Sequence, residues 1–402
     1  MNQEQSGLAS EPMSRLEAIG QLRAHIVDVM PDAETLWQAG GGTQGNARGR
    51  RRRGMRAIEN PPTFRGHLAI DAEQAYPTLR ERFATLGYTP LLHKEGGYDL
   101  IAALPYVFPN QASKNGSSRW VINLVLLIAT LVTTTLAGAL NENMEQLGQN
   151  PMLFFQQPWL ILTGLPASMT IMSILGIHEL GHYFMSRRHG LPTTLPFFIP
   201  FLPVPGGFGT FGAVIRAQAP WENRKALFDV GLAGPLAGLV VALPIFFVGL
   251  MTSPHQPHIP GSMSLGSPLL LQWMENIVYA LRGIPEDHEI YANAMTYAAW
   301  FGLFVTGVNL LPAGQFDGGH VAYAVLGRWA RLMSMLVLGM LVVLGTLFWR
   351  GWYIWAAMVF SFGWQHPAPL NTVAPLGKRR IIIGFLSLVL TILLFTPAPL
   401  PF

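Results

Sequence analysis

The sequence predicts an α-helical polytopic membrane protein of about six or seven transmembrane helices, with a membrane-associated β-hairpin element and a small N-terminal α/β soluble domain. Three observations predict it. Charged residues make up only 12% of the chain, about half the share of an average soluble domain. From about residue 119 onward, apolar runs of membrane-spanning length recur. Before that point the chain is mostly polar. There is no cysteine, which excludes a disulfide framework and a thiolate metal site. A metal would have to be held by His, Asp or Glu.

The chain divides into residues 1–56, 57–115 and 116–402. In the first, a helix is expected from Ser14 to about Trp37, capped by Ser14 with Glu17 placed for a capping box. A Gly- and Arg-rich linker follows. Its Arg50–Arg53 run suits anionic lipid head groups. The competing reading, nucleic acid or a protein partner, lacks the aromatic interleaving that nucleic-acid binding uses, so no nucleic acid is expected. Residues 57–115 read as a strand (63–70), a helix (71–86) and a hairpin through Glu95-Gly96-Gly97. They show no catalytic cluster. No basic start precedes an apolar core, so no cleaved signal peptide is expected, and Glu4, Glu11 and Glu17 argue against an organelle transit sequence. The expected location is a bacterial plasma membrane with a cytoplasmic N-terminus.

Seven spans are expected, at roughly 119–140, 158–186, 226–251, 291–312, 332–349, 351–364 and 380–397. The sixth is short and reads as a hairpin partner of the fifth or a re-entrant piece. With the N-terminus inside, the inside segments collect Arg187, Arg188, Arg216, Arg224, Lys225, Arg328, Arg331, Lys378, Arg379 and Arg380. The outside segments hold only Arg282 and Arg350. This is the positive-inside asymmetry.

The chemistry sits in His178-Glu179-Leu180-Gly181-His182, at the end of the second span. On a helix the two histidines are one turn apart on one face. They can reach one zinc ion, with Glu179 beside them as base toward the attacking water. Ionisable groups at membrane depth are costly and usually functional. A catalytic zinc takes three protein ligands, and Asp317 is the best third, in Asn309-Leu-Leu-Pro-Ala-Gly-Gln-Phe-Asp317-Gly318-Gly319-His320. An Asp-Gly-Gly is also an ordinary turn or helix cap. Topology favours the ligand: His182 lies about 7.5 Å along the helix from Arg187, near the inside end of span two. Asp317 falls at the inside end of span four. His320, three residues on, is the other candidate, with a supporting or packing role favoured. His189 reads as interfacial. A second metal at His255 and His258 is not favoured, for want of a partner in their Pro-rich loop.

These motifs resemble those of the site-2 protease family of intramembrane zinc metalloproteases. Its two signatures, H-E-x-x-H and Asn-Leu-Leu-Pro…Asp-Gly-Gly, both stand intact. The likeness extends to Phe208-Gly-Thr-Phe-Gly-Ala-Val-Ile215 and Gly231-Leu-Ala-Gly-Pro-Leu-Ala-Gly238, so it covers about residues 158–327. The branch with an Asn-Leu-Leu-Pro-x-Gly-Gln-x-Asp-Gly-Gly pattern includes bacterial members and relatives in chloroplasts. The resemblance implies Zn2+ bound by His178, His182 and Asp317, Glu179 as catalytic base, and Asn309 stabilising the oxyanion or holding the substrate. It also implies regulated intramembrane proteolysis of transmembrane protein substrates. No PDZ domain is evident between the motifs.

Peptide bonds in a membrane helix are shielded by their own hydrogen bonds, so a substrate would have to unwind. Residues 191–219 are too broken to span. Phe208–Arg216 reads either as a strand whose edge pairs with an unwound substrate, or as a membrane-dipping hairpin that seals the core. Gly234 and Gly238 have the spacing that lets helices approach closely, with Pro235 as an alternative hinge. Membrane lipids are expected partners, and a homo-oligomer is left open. The alternative function is a membrane zinc transporter or a non-catalytic metal-binding protein. Neither explains Glu179 between the histidines.

Overall fold

The structure, a computed structural model, describes residues 15–36, 61–108, 120–259, 264–362 and 366–400. The expected Ser14 cap and the Gly/Arg-rich linker with Arg50–Arg53 lie outside the described residues. The chain forms two compact units. One combines the chain up to Phe108 with Pro220–Arg224 and Ala368–Pro375, and the other holds the remainder.

The first unit carries α1 (Arg15–Ala24), β1 (Glu34–Thr35), β2 (Thr63–Gly66), α2 (Ala72–Thr85), β3 (Thr89–Glu95) and β4 (Tyr98–Leu104). Its antiparallel sheet runs β1-β2-β4-β3. Asp71 caps α2 by accepting the Glu73 amide at 2.8 Å. The β3–β4 turn is Gly96-Gly97, both at positive φ (58° and 90°), as a two-residue hairpin loop needs. Leu22, Ile26, Met30, Phe64, Tyr76, Leu79, Phe83, Leu92 and Ile101 share one core with Leu370. Leu370 belongs to this unit because residues 368–375 pair with their neighbours on both sides. Leu92 donates to the Leu370 carbonyl at 2.7 Å, and Leu370 and Asn371 donate to Trp221 and Glu222 at 2.9 and 2.8 Å. The Asn371 side chain is almost wholly buried. It donates to the Ala72 carbonyl at 3.0 Å and accepts the amides of Val373 and Ala374, each at 3.1 Å.

The second unit begins with α3 (Trp120–Glu142), then short α4 (Met144–Gln149) and α5 (Leu153–Gln156). A 3-10 turn (Pro158–Gly164) leads into α6 (Leu165–Arg188). The strands β5 (Phe197–Pro200) and β6 (Thr210–Val214) form an antiparallel hairpin with an irregularity between Phe198 and Pro200. Next come α7 (Arg224–Thr252), β7 (His255–Pro257), α8 (Leu269–Arg282), β8 (His288–Ile290), α9 (Ala294–Asn309), α10 (Asp317–Leu326), α11 (Ala330–Leu347), α12 (Trp352–Phe362) and α13 (Lys378–Leu394). Polar groups on α3 clasp the β5–β6 hairpin. Asn123 donates to the Pro196 carbonyl at 2.7 Å, Thr133 to Gly209 at 2.7 Å and Asn141 to Gly207 at 2.9 Å. Gly209 has φ of 70° and lies against the Thr133 backbone, where a side chain would collide.

Four stretches are long and apolar enough to cross a membrane: Trp120–Glu142, Pro158–Arg188, Arg224–Thr252 and Asp317–Leu347. The last begins well before the span expected at 332, because α10 and α11 follow each other with only a turn at Gly327. The expected fourth span is the 16-residue α9, and the sixth the 11-residue α12. Pro312 explains the early end of α9, since proline disfavours helix in the residue before it and cannot donate. The amphipathic α8 was not expected. Its buried residues, Leu271 and Val278, lie two turns apart on one face.

Two outcomes follow for the first unit. Asn371→Ala leaves a buried carbonyl, one buried amide and one half-buried amide without their partner, so the unit should lose about 1–3 kcal/mol of stability; hydrogen exchange of the full chain would show α2 amides opening more readily. Asp28 is paired with Arg82 through two bonds of 2.6 and 2.8 Å. That pairing holds its carboxyl below the usual range. The stabilisation is therefore present above the ordinary carboxylate pKa and is lost as pH falls through the lowered one. Thermal melts between pH 7 and pH 3 should show a slightly steeper acid loss for the wild type than for Asp28→Asn.

Candidate metal centre

The H-E-x-x-H segment lies within α6, with His178, Glu179 and His182 only 6%, 8% and 7% exposed. One helical turn separates the histidines, so both project from one face. His182 Nδ1 lies 2.8 Å from the Val230 carbonyl on α7. A carbonyl only accepts, so Nδ1 carries the proton and Nε2 keeps its lone pair.

Asp317 is the first residue of α10 and follows an irregular turn after α9. It is not the cap itself; Phe316 holds that position. Its Oδ2 lies 3.2 Å from His178 Nε2 and 3.3 Å from His182 Nε2, and the two nitrogens are 3.1 Å apart. The three donors thus form a nearly equilateral triangle. A tetrahedral ion with bonds of about 2.0–2.1 Å spaces its ligands about 3.3 Å apart. The donor set fits such an ion and leaves its fourth position open. Among the described residues this is the one group of three or more His, Asp or Glu side chains close enough to hold a metal.

Two sets of glycines permit this approach. On α7, a Cβ at Gly234 would strike the His182 ring, one at Gly238 would touch His178 at 3.3 Å, and one at Gly231 would lie 2.8 Å from the His320 Cβ. Their three- and four-residue spacing puts them on one face of α7. In α10, a side chain at Gly318 would run into the Leu310 carbonyl, and one at Gly319 would approach the Ala313 carbonyl to 2.7 Å. Any larger residue would push the first turn of α10, and Asp317 with it, off the preceding turn.

Residues 166–348 match the model of peptidase family M50. The likeness to the site-2 protease family drawn from the two motifs is borne out. The chain is similar to the probable zinc metalloprotease EGY2, chloroplastic, of Arabidopsis thaliana, at 29% identity over 65% of this chain and 47% of that protein. The EGY2 protein of Oryza sativa subsp. indica is 27% identical over 68% of this chain and 50% of its own length. The probable zinc metalloprotease EGY1, chloroplastic, of Arabidopsis thaliana is 27% identical over 69% and 53%. The chain spans about half the length of these curated relatives.

The M50 segment holds all three donors and Glu179. Asn309 ends α9 and is half-buried; among the described residues no hydrogen bond joins it to the donors. His320 does not join the triangle. Its Nδ1 is 2.6 Å from His366 Nε2, whose other ring nitrogen lies 2.7 Å from the Pro367 carbonyl. His189 is more than interfacial: its Nε2 sits 2.9 Å from Asp229 of α7, which also takes two 2.7 Å bonds from Arg380 of α13. The ends of α6, α7 and α13 are thereby tied beside Val230. Sequence reasoning missed Val230, Asp229 and His366. A charged residue just inside an apolar span was the one available signal for Asp229; a backbone carbonyl such as Val230 leaves none.

Gly234→Ala should displace the His182 ring and weaken divalent-metal binding by about 10–100-fold, measured by competition against a metal-sensitive dye. Gly238→Ala, where the neighbour need yield only slightly, should be the milder of the two.

Proposed function

We propose that this chain is an intramembrane zinc metalloprotease that hydrolyses peptide bonds within or near transmembrane segments of other proteins. The reading rests on one observation. Three donors within 3.3 Å of one another meet beside a carboxylate, in an apolar helix of a segment that matches peptidase family M50. Names of the relatives add support, since they are named probable zinc metalloproteases. His178, His182 and Asp317 hold the zinc and Glu179 is the base. The protease domain takes in residues 116–402, with its core at 158–327.

When bound, zinc would lower the pKa of water and polarise the scissile carbonyl. Glu179 accepts the proton of the attacking water and hands it to the leaving amine. The Val230 carbonyl keeps His182 in the tautomer that presents Nε2. Asn309 helps hold the substrate carbonyl. The outer edge of β6 pairs with an unwound substrate strand.

Six or seven crossings, with α9, α12 and α13 completing the four long stretches, accommodate the Lys and Arg asymmetry. The orientation with the N-terminus on the basic side rests on that asymmetry alone. The relatives are chloroplast proteins by name and lend no support to a bacterial plasma membrane. A transport role is not favoured: it gives Glu179 no task.

Glu179→Gln tests the mechanism. In detergent, with transmembrane-segment substrates, cleavage should fall by about 100-fold or more, while zinc counted per chain stays unchanged. Equal cleavage by both proteins would remove Glu179 as the base.

A further inference from the structure

The ladder of β7 and β8 lies between the end of α7 and the start of α9, with α8 in the intervening chain. From sequence, His255 and His258 suggest a pair. The ladder separates them. His255 stands opposite Ile290, Gln256 opposite Glu289 and Pro257 opposite His288. Side chains alternate between faces along a strand. His255 and His288 therefore fall diagonally on one face, and His258 and Glu289 on the other. The contacts agree: His255 Nδ1 is 3.1 Å from His288 Nδ1, and His258 Nδ1 is 2.9 Å from Glu289 Oε1.

Both rings of the first pair are half-buried, and the strands that carry them are pinned. Tyr279 of α8 donates its hydroxyl to the His288 carbonyl at 3.3 Å and accepts the Ile290 amide at 3.2 Å. Arg282 donates to the Leu250 and Ser253 carbonyls at 2.9 and 2.7 Å, just ahead of β7. The nitrogen separation equals that between the Nε2 atoms of His178 and His182. At that distance one ring must donate and the other accept. A cation held by both lone pairs satisfies the same geometry without the proton.

We propose that His255 and His288 form a second, distal site for a late first-row divalent ion, Zn2+ or Cu2+, the class that imidazole ligands suit. Water fills the remaining positions. From Gly238, beside His178, to the end of α7 is about 21 Å of helix, so the site is separate from the candidate metal centre. A bound ion would lock the ladder and with it the connection from α7 to α9.

The test uses the tag-free full chain with His178→Ala and His182→Ala, stripped of metal and titrated with Zn2+ or Cu2+ alone. Retention of about one ion per chain is expected, with a Cu2+ electron paramagnetic resonance spectrum split by two imidazole nitrogens. Adding His255→Gln or His288→Gln should abolish that equivalent, and adding His258→Gln should leave it. No bound ion in the parent, or binding that survives loss of both His255 and His288, overturns the proposal. So does a Cu2+ spectrum with fewer than two nitrogens, which needs no further variant and is unaffected by any folding defect in one.

Discussion

Two imidazoles and a carboxylate can be buried among apolar helices only if they satisfy one another or share a cation, because an unpaired charge there is very costly. That constraint organises the second unit. Donor atoms 3.1–3.3 Å apart on α6 and α10 require those helices to meet with almost no side chain between them and α7. The α7 face of Gly231, Gly234 and Gly238 supplies the clearance. Leucines at those positions would collide with the histidines and leave no centre. The composition of α7 trades packing volume for the approach of His178, His182 and His320.

The same constraint reaches the ends of the helices. His182 is oriented by the carbonyl of Val230, and the adjacent Asp229 is gripped by Arg380 and His189. A shift of α7 along its axis would break the carbonyl contact and the ion pair together. The three helix ends therefore define one rigid corner, and the imidazole inherits its position from it. Buried polar groups of this kind are effective when all of them are satisfied.

What could be read from the sequence depended on whether the determining contact is local. The His178–His182 spacing is a property of one helix, and so is the Gly234–Gly238 stripe; both were legible. The Gly96-Gly97 hairpin was legible for the same reason. Asp317 was legible only through the count of spans between it and α6. Contacts made across the fold were not. Nothing in Leu370 or Asn371 says that they pack with Leu92 and Ala72, nearly three hundred residues away. Nothing in His255 says that His288 will lie diagonally opposite. The amphipathic α8 was hidden because its short apolar face lies inside a segment rich in turn residues. Asn309 shows the reverse case, a residue singled out by its motif whose side chain makes no hydrogen bond with the donors among the described residues.

Seven expected spans against four long stretches is a difference with a physical reason that bears on the centre. At 1.5 Å per residue, α9 rises about 24 Å, short of the roughly 30 Å of a bilayer core. A longer α9 would carry Asp317 away from histidines set one turn and more inside α6. Because Pro312 ends α9 early, the chain turns back before leaving the bundle and α10 starts with Asp317 beside them. Irregular backbone buried among apolar helices survives only if the protein itself satisfies it. The turn is satisfied in this way. Gly314, at a φ of 55°, donates to Ser334 at 3.0 Å, Ala313 donates to Leu311 at 2.7 Å, and Thr391 of α13 donates to the Leu310 carbonyl at 3.1 Å. The short helix, the proline, the glycines of α10 and the hydroxyls of α11 and α13 thus serve one end, holding a carboxylate inside the bundle where two imidazoles can reach it.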